Sequence, residues 1–436
     1  MAVPLQYWSY KLLSNLFFAI GFPPFFLYSW FTGKHKDSLH NRLGSYGGIS
    51  KPLRGKPSIW MHAASAGEVR AAQALLPELQ KILPDAAYLL STMTQYGQQV
   101  AKKHLGSALD LFYAPLDANW IVKRSLASLK PTCYICLETE LWPNLLTEAY
   151  RAGIPLFLLN GRLSARSLQR YKKIPKLMTP LLNSFTAISV ISETDKERFA
   201  ALGADTEKII VSGNAKYDLK IETSGDQASS YRYRLGIREN QQAFIFGSTH
   251  SGEEKLFVDA ICRLREHIAD AIFIIAPRHL NRLAEIENLF SSHGLKYDIF
   301  SRISPGNRCH NIVLLDTMGE LSALYSVGTF IYCGGSLVPK GGHNIMEAAI
   351  WGKPVYYGPH MKDFADAAEI LESRNAAIRI KQPDDFVRSV LTLLGSPREY
   401  AGICRRSKEV AMAQQGSSRL QAELIRDGLR QRKSNN

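Results

Sequence analysis

Cysteine is scarce in this chain: six in 436 residues. That is too few for the disulfide lattice of a small secreted domain. Cys133 and Cys136 have CxxC spacing, but they stand inside the apolar run 132–137 and no second CxxC exists. The pair therefore reads as part of a buried strand, not as a zinc site. Acid is short as well: 39 Asp and Glu against 53 Lys and Arg give a formal charge of +14. Such an excess points to an anionic partner, whether nucleic acid, a membrane surface or a phosphorylated substrate. Long apolar runs are almost missing, which excludes a polytopic membrane protein. No Asp-x-Asp pair is present, the pattern that holds a divalent metal on a sugar nucleotide. Gly247-Ser-Thr-His-Ser-Gly252 is followed by Glu253-Glu254, where a P-loop needs Lys-Ser/Thr. His62, His250, His279 and His343 are scattered without metal-ligand spacing. The expectation is a reaction without metal or cofactor, with Arg, Lys and helix ends offsetting anionic charge.

What is present is globular: 46% hydrophobic and 21% charged residues. At roughly 150 residues per domain the length predicts two or three domains. The one long apolar run, residues 12–31, has no charge and about the length of a spanning helix. Gly21, Pro23 and Pro24 interrupt it. Its end, Leu-Tyr-Ser-Trp-Phe31, lacks the small residues of a cleavage site, so a retained anchor over 1–32 is expected. Trp8, Tyr10, Tyr28 and Trp30 suit the membrane interfaces. Lys34, Lys36, Arg42, Lys51, Arg54 and Lys56 follow the run and place the remainder on the cytoplasmic side. The double proline leaves open whether the segment spans or lies in one leaflet. A buried N-terminal helix of a soluble domain is the alternative.

From residue 57 short apolar runs alternate with amphipathic helical stretches. Strands are expected at 58–63, 87–91, 132–137, 155–159 and 187–191, with helices at 68–82 and 94–104 between them. The polar stretch 216–232 has no periodicity and reads as a linker, drawn as 216–235. The alternation then restarts, with strands at 243–247, 271–276, 311–315 and 329–333. This is the pattern of two doubly wound parallel sheets, over 33–215 and 236–405, facing a ligand cleft with their strand ends. Residues 406–436 read as a basic helix, for which a return to the first domain is one course.

Four segments carry candidate chemistry. Ser65-Ala66-Gly67-Glu68 follows a strand and opens a helix. Ser-x-x-Glu is a capping box, yet Glu68 would also stand at a strand end, where a carboxylate can act as general base on a hydroxyl. Pro277-Arg278 sits between strand and helix, and a guanidinium there suits phosphate; a surface Arg at a helix start is the alternative, mildly disfavoured by the helix dipole. In the segment 332–347, two glycine pairs flank Pro339-Lys340 before a helix start. Asn344 and Glu347 lie three apart, so they share a face, and Glu347 can accept from vicinal ribose hydroxyls. Together these features point to a nucleotide site. Asp316-Thr-Met-Gly-Glu-Leu321 lies at another strand end, where Gly319 frees the backbone to read a base edge. Residues 162–176 hold six basic groups and no acid, which reads as a membrane-docking patch or a solvated helix face.

Seven motifs in order carry a resemblance. They are His62-Ala-Ala-Ser-Ala-Gly-Glu68, Glu138-Thr-Glu-Leu-Trp-Pro-Asn144, Asn160-Gly-Arg-Leu-Ser164, Gly213-Asn-Ala-Lys216, Ala276-Pro-Arg-His279, Thr317-Met-Gly-Glu-Leu321 and Gly341-Gly-His-Asn-Ile-Met-Glu347. Across essentially the whole chain the sequence resembles the bacterial Kdo transferases, the lipid A 3-deoxy-D-manno-octulosonic acid transferases. The resemblance implies an α/β GT-B fold, CMP-Kdo as donor and a lipid A precursor (lipid IVA) as acceptor. It also implies an inverting transfer at the cytoplasmic face of the inner membrane, with no nucleic acid involved. By the family's pattern Glu68 is the proton acceptor, and Glu138 and Lys216 match positions credited with transition-state stabilisation. Pro277, Arg278, Met318, Gly319, Glu320, Asn344, Ile345, Met346 and Glu347 match CMP-binding stretches. Two alternatives stand beside it: a GT-B enzyme acting on a UDP-sugar, and a non-catalytic nucleotide-binding scaffold.

Overall fold

The computed structural model describes residues 5–32, 36–47, 56–218 and 225–435. Lys34, Lys51 and Arg54 lie outside the described residues, as do the side chains of Tyr28, Trp30 and Lys36. The chain forms two compact units. The first comprises residues 1–218 together with 414–436, and the second residues 219–413.

The first unit holds β1 (Ser58–His62), β2 (Ala87–Thr92), β3 (Asp110–Tyr113), β4 (Cys133–Leu137), β5 (Leu156–Gly161), β6 (Ala187–Val190) and β7 (Ile209–Val211). All pair in parallel, in the order β3-β2-β1-β4-β5-β6-β7. The second unit holds β8 (Ala243–Thr249), β9 (Ile272–Pro277), β10 (Asp298–Ile299), β11 (Ile312–Leu314), β12 (Phe330–Cys333), β13 (Val355–Tyr357) and β14 (Ile378–Arg379). Their order is β10-β11-β9-β8-β12-β13-β14, again parallel. Helices cover both faces, so central strands are buried on both sides and read as unbroken apolar runs. β4 is buried at every position, Cys133 and Cys136 included. Each fully buried side chain such as Phe157 or Phe244 contributes roughly 1.5–3 kcal/mol.

The strands not expected from sequence are mainly the edges, β3, β7, β10 and β14. They span only two to four residues and are partly exposed, so even the apolar Ile209–Val211 is too short a run to mark a strand. β13 is buried but three residues long. The expected linker needs correction too: a 3-10 turn occupies Ala215–Tyr217, and Gly225–Leu235 is a helix. At the other end of the chain, the helix Ser417–Asn435 packs on the helix Ala66–Ile82 of the first unit.

The N-terminal run is one helix, Leu5–Thr32, which continues through Pro23 and Pro24. Both prolines lack the amide that a helix interior uses, yet neither ends it. Among the described residues, no helix is long and apolar enough to cross a membrane, so the expected N-terminal anchor is not confirmed. The inner side of the helix makes polar contacts. Tyr7 donates to Glu148 (3.1 Å) and Tyr10 to Asp117 (2.9 Å). Asn15 accepts the amide of Asn119 (3.2 Å), and Asn144 donates to Ser14 (2.9 Å). The outer side carries Trp8, Leu12, Leu13, Leu16, Phe17 and Ile20, all exposed, with Phe17 at 80%.

Candidate active site

In a doubly wound sheet, ligands collect where neighbouring strands send their connections to opposite sides. In the first unit that point lies between β1 and β4, because the chain runs from β1 out to β3 and then returns to the far side of β1. Glu68 follows β1, and Glu138 follows β4 directly.

Ser65 adopts an extended backbone and caps the helix Ala66–Ile82, which places Glu68 at the third helical position. The Glu68 carboxylate accepts the amides of Ala64 and Ser65 (3.3 Å for the latter), and the Ser65 hydroxyl donates to it at 3.0 Å. The capping role read from the sequence is therefore real. It coexists with an unusual titration. Burial, and then the carboxylates of Glu138 and Glu140, push the Glu68 carboxyl up to about 7, against the pull of its hydrogen bonds. Burial and Glu138 also raise Glu140, a residue the sequence reading left without a role.

Glu138 has φ +58, a left-handed conformation that costs a non-glycine residue about 1–3 kcal/mol. Its amide still bonds the Leu159 carbonyl at 2.8 Å, so the turn is held by the end of β5. Its carboxylate forms an ion pair with Lys216. Lys216 lies in the turn after β7, and its ammonium stands 3.6 Å from where a Cβ on Gly67 would be. Glu68, Glu138 and Lys216 are thus brought together, from the ends of β1, β4 and β7. Asn160 and Asn214 build the lysine's turn. Asn160, also at φ +58, donates to Asn214 (3.0 Å) and accepts the Ala215 amide (2.8 Å). Asn214 accepts the Lys216 amide (3.1 Å), and its own amide bonds Gln414 (2.7 Å). The sequence signalled these asparagines only as members of motifs.

The second unit presents its candidates at the same kind of edge. Pro277 ends β9, and the Arg278 amide bonds the Thr249 carbonyl at the end of β8 (2.9 Å), leaving the Arg278 side chain exposed. Met318 is exposed and Gly319 has φ +92. Glu320 accepts from Tyr231 (3.2 Å) and faces Arg234 (3.8 Å), both on the helix missed in the expected linker. Asn344 donates to Glu347 (3.2 Å) and accepts the Met346 amide (3.1 Å). Ile345 and Met346 bury their side chains in the core, which leaves only their backbone for a ligand. The helix that Met346 opens, Met346–Ala349, has four residues. The anion-favouring helix start expected there is reduced to a single turn. Among the described residues, no group of three His, Cys, Asp or Glu side chains is placed to hold a metal ion.

Two doubly wound parallel units, with a carboxylate at one switch point and a glycine-rich loop in the other, resemble in fold the class of the GT-B glycosyltransferases and their relatives. A family model described as 3-deoxy-D-manno-octulosonic-acid transferase (kdotransferase) matches residues 37–219. A 3-deoxy-D-manno-octulosonic acid transferase of Haemophilus influenzae is 30% identical over 395 residues, 90% of this chain and 92% of that protein. A bifunctional glycosyltransferase/methyltransferase of Fusobacterium nucleatum is 33% identical over 367 residues, 83% of this chain, and the chain spans 56% of that relative's length. The crystal structure of UDP-GlcNAc 2-epimerase from Neisseria meningitidis bound to UDP-GlcNAc aligns with a TM-score of 0.52 at 17% identity. The alignment spans 84% of this chain and 99% of that one, and it speaks to the fold alone. The chain belongs to the 3-deoxy-D-manno-octulosonic acid transferase family.

Proposed function

We propose that this protein transfers Kdo from CMP-Kdo to a lipid A precursor, lipid IVA, in a single inverting displacement with Glu68 as general base. The observation that carries this reading is the Glu68 carboxyl, held at about 7 beside the Glu138–Lys216 pair. A carboxylate raised towards neutrality is a stronger base than an ordinary one, and it takes a hydroxyl proton as the bond forms. The acceptor oxygen attacks the anomeric carbon, its proton passes to Glu68, and the bond to the CMP phosphate breaks on the opposite face. Lys216, held by Glu138, supplies positive charge beside the base. On the donor side Arg278 meets the phosphate. Pro277, the backbone of Met318–Glu320 and Ile345–Met346, and the side chains of Asn344 and Glu347 hold the nucleoside.

The acceptor is an anionic glycolipid, and two features suit it. Arg166, Arg170, Lys172, Lys173 and Lys176 form an exposed basic face without an acid. The outer side of the helix Leu5–Thr32 exposes apolar side chains along one stripe. The reading is that this helix lies in the cytoplasmic leaflet of the inner membrane and does not span it.

The test is transfer from CMP-Kdo to tetra-acylated lipid A precursor, read by product mass, for wild type, Glu68→Gln and Glu68→Ala. Product with wild type and a loss of roughly a hundredfold to ten-thousandfold in both variants is expected. Full activity in Glu68→Gln would reduce Glu68 to a capping residue. No product with wild type would sink the donor or acceptor assignment.

A further inference from the structure

The second unit has a switch point of its own, between β8 and β12. Two histidines from its two sides meet there. His250 follows β8 and His343 belongs to the loop after β12. Their Nε2 atoms are 2.9 Å apart, and the rings stack at 5.1 Å with an 8° tilt. His279, next to Arg278 at the end of β9, sets its ring edge-on to His250 at 5.5 Å. Gly335, at φ +68, makes the room: a Cβ there would come within 3.2–3.3 Å of both His250 and His343. Ser248, at φ +54, bends the chain that presents His250.

The nearby carboxylate is already committed to the loop. Glu253 is fully buried and accepts the amides of His250 (2.9 Å), Gly335 (2.7 Å), Ser336 (3.1 Å) and Leu337 (3.0 Å), and the Tyr332 hydroxyl (2.6 Å). It fixes the loop geometry. Around His250, burial opposes protonation, the Glu253 carboxylate favours it, and His279, Lys340 and Arg282 oppose it, with a net downward shift. Arg282 is itself paired with Glu254 and Glu285. Two imidazoles facing each other through Nε2 atoms share one proton, because one must accept. A second proton needs more counter-charge than Glu253 gives, and an incoming anion supplies it.

We propose that His250, His343 and His279 form the receptor for the carboxylate of the donor's sugar acid, and so select a sugar acid over a neutral sugar. The inference rests on the CMP-Kdo reading above. In a 2-keto sugar acid the carboxylate and the phosphate leaving group hang from the same carbon. Their receptors must therefore adjoin, and here His279 adjoins Arg278 while His343 adjoins Asn344. The switch point concentrates ligand contacts, and three imidazoles with a lysine give it an anion's chemistry.

The experiment is calorimetric titration of the full chain with CMP, with Kdo and with CMP-Kdo, without acceptor. Wild type and the His250→Gln/His343→Gln double variant are compared, since glutamine retains a hydrogen bond between the two positions and removes the charge. The expected result is CMP affinity within about twofold of wild type and CMP-Kdo affinity lowered at least about tenfold, the scale of one charge-assisted hydrogen bond. If both ligands weaken equally, the histidines read the phosphate and the proposal is overturned. An unchanged ratio overturns it as well. Should the double variant not fold, His279→Gln and wild-type titrations in two buffers of different ionisation heat replace it. CMP-Kdo must then bind with more proton uptake than CMP, and equal uptake overturns the proposal. Wild type that binds neither nucleotide fails the donor reading itself. Wild type that binds CMP and CMP-Kdo equally keeps the nucleotide site and loses the carboxylate receptor.

Discussion

Glu138 and Lys216 form an ion pair across the ends of β4 and β7, strands that are not neighbours in their sheet. The pair spans the strand ends over Gly67, one residue from the proposed base. A backbone in the left-handed region at Glu138, and another at Asn160, hold the two partners in place. Strained non-glycine residues at strand ends are a signature of sites whose geometry matters more than local stability.

The first prediction concerns that support. Asn160→Gly tolerates φ +58 but removes two buried hydrogen bonds that shape the Lys216 turn. Stability should fall by about 1–3 kcal/mol in denaturant unfolding. With Lys216 loosened, kcat should drop about tenfold or more while CMP affinity stays at the wild-type value, because the nucleotide residues belong to the other unit. A parallel loss of CMP affinity would show that the effect is global unfolding. Lys216→Met should lower kcat in the same way without the stability loss.

The second concerns pH. The Glu68 carboxyl is raised from the ordinary 4.5 to about 7. As a base it works ionised, so kcat/KM should rise with pH and level off above about 7. Glu140→Gln removes one of the carboxylates that raise it, and should move the rising limb to lower pH. The same shift has a stability consequence of opposite sign. Between 4.5 and 7 the folded state binds the proton more tightly than the unfolded chain. Stability therefore falls as pH rises through this window, by on the order of 3 kcal/mol for a group this buried. Glu68→Gln should remove that slope in unfolding measured from pH 4.5 to 8. A limb that stays put in Glu140→Gln would refute the electrostatic account.

A third follows from Glu253. Its single carboxylate takes four backbone amides and one hydroxyl. Hydrogen bonds to a charged acceptor are worth roughly 1.5–3 kcal/mol each, and they share one group here. Glu253→Gln should lower the melting temperature by several degrees and weaken CMP-Kdo binding, since the loop holding Gly335 loses its template. A variant as stable as wild type would mean that the loop is held by other contacts.

The fourth concerns the basic face. Neutralising Arg166, Arg170, Lys172 and Lys173 together should lower binding to anionic liposomes by on the order of a hundredfold to a thousandfold, at roughly 1 kcal/mol per basic residue at the surface. Activity on a soluble acceptor analogue should stay at the wild-type level. Unchanged liposome binding would make 162–176 a solvated helix face.

Much of this was legible in the sequence for a physical reason. Central parallel strands are buried on both faces, so β1, β4, β8 and β12 announce themselves as apolar runs, and motif residues fall at their C-terminal ends. Edge strands lack that signal. The helix Gly225–Leu235 was missed because its residues are mostly polar and show no helical period. With it went the partners of Glu320, Tyr231 and Arg234. The Lys216–Glu138 pair was invisible in another way, since it depends on where two distant turns end. His250 and His343 read as scattered histidines because only the strand order places β8 beside β12. The N-terminal helix was legible as a helix but not in its placement, which Tyr7, Tyr10, Ser14 and Asn15 decide through partners over a hundred positions away.

The return of residues 414–435 to the first unit makes that unit discontinuous in the chain. Gln414 and Gln415 bond the turn of Asn214 and Tyr217, Asp218 receives Gly416 and Ser418, and Gln421 bonds Ser212. During synthesis, then, Glu68, Glu138 and Lys216 leave the ribosome early but stay without their final brace until the last helix follows. The second unit can complete its sheet first, so the half made first is the half finished last.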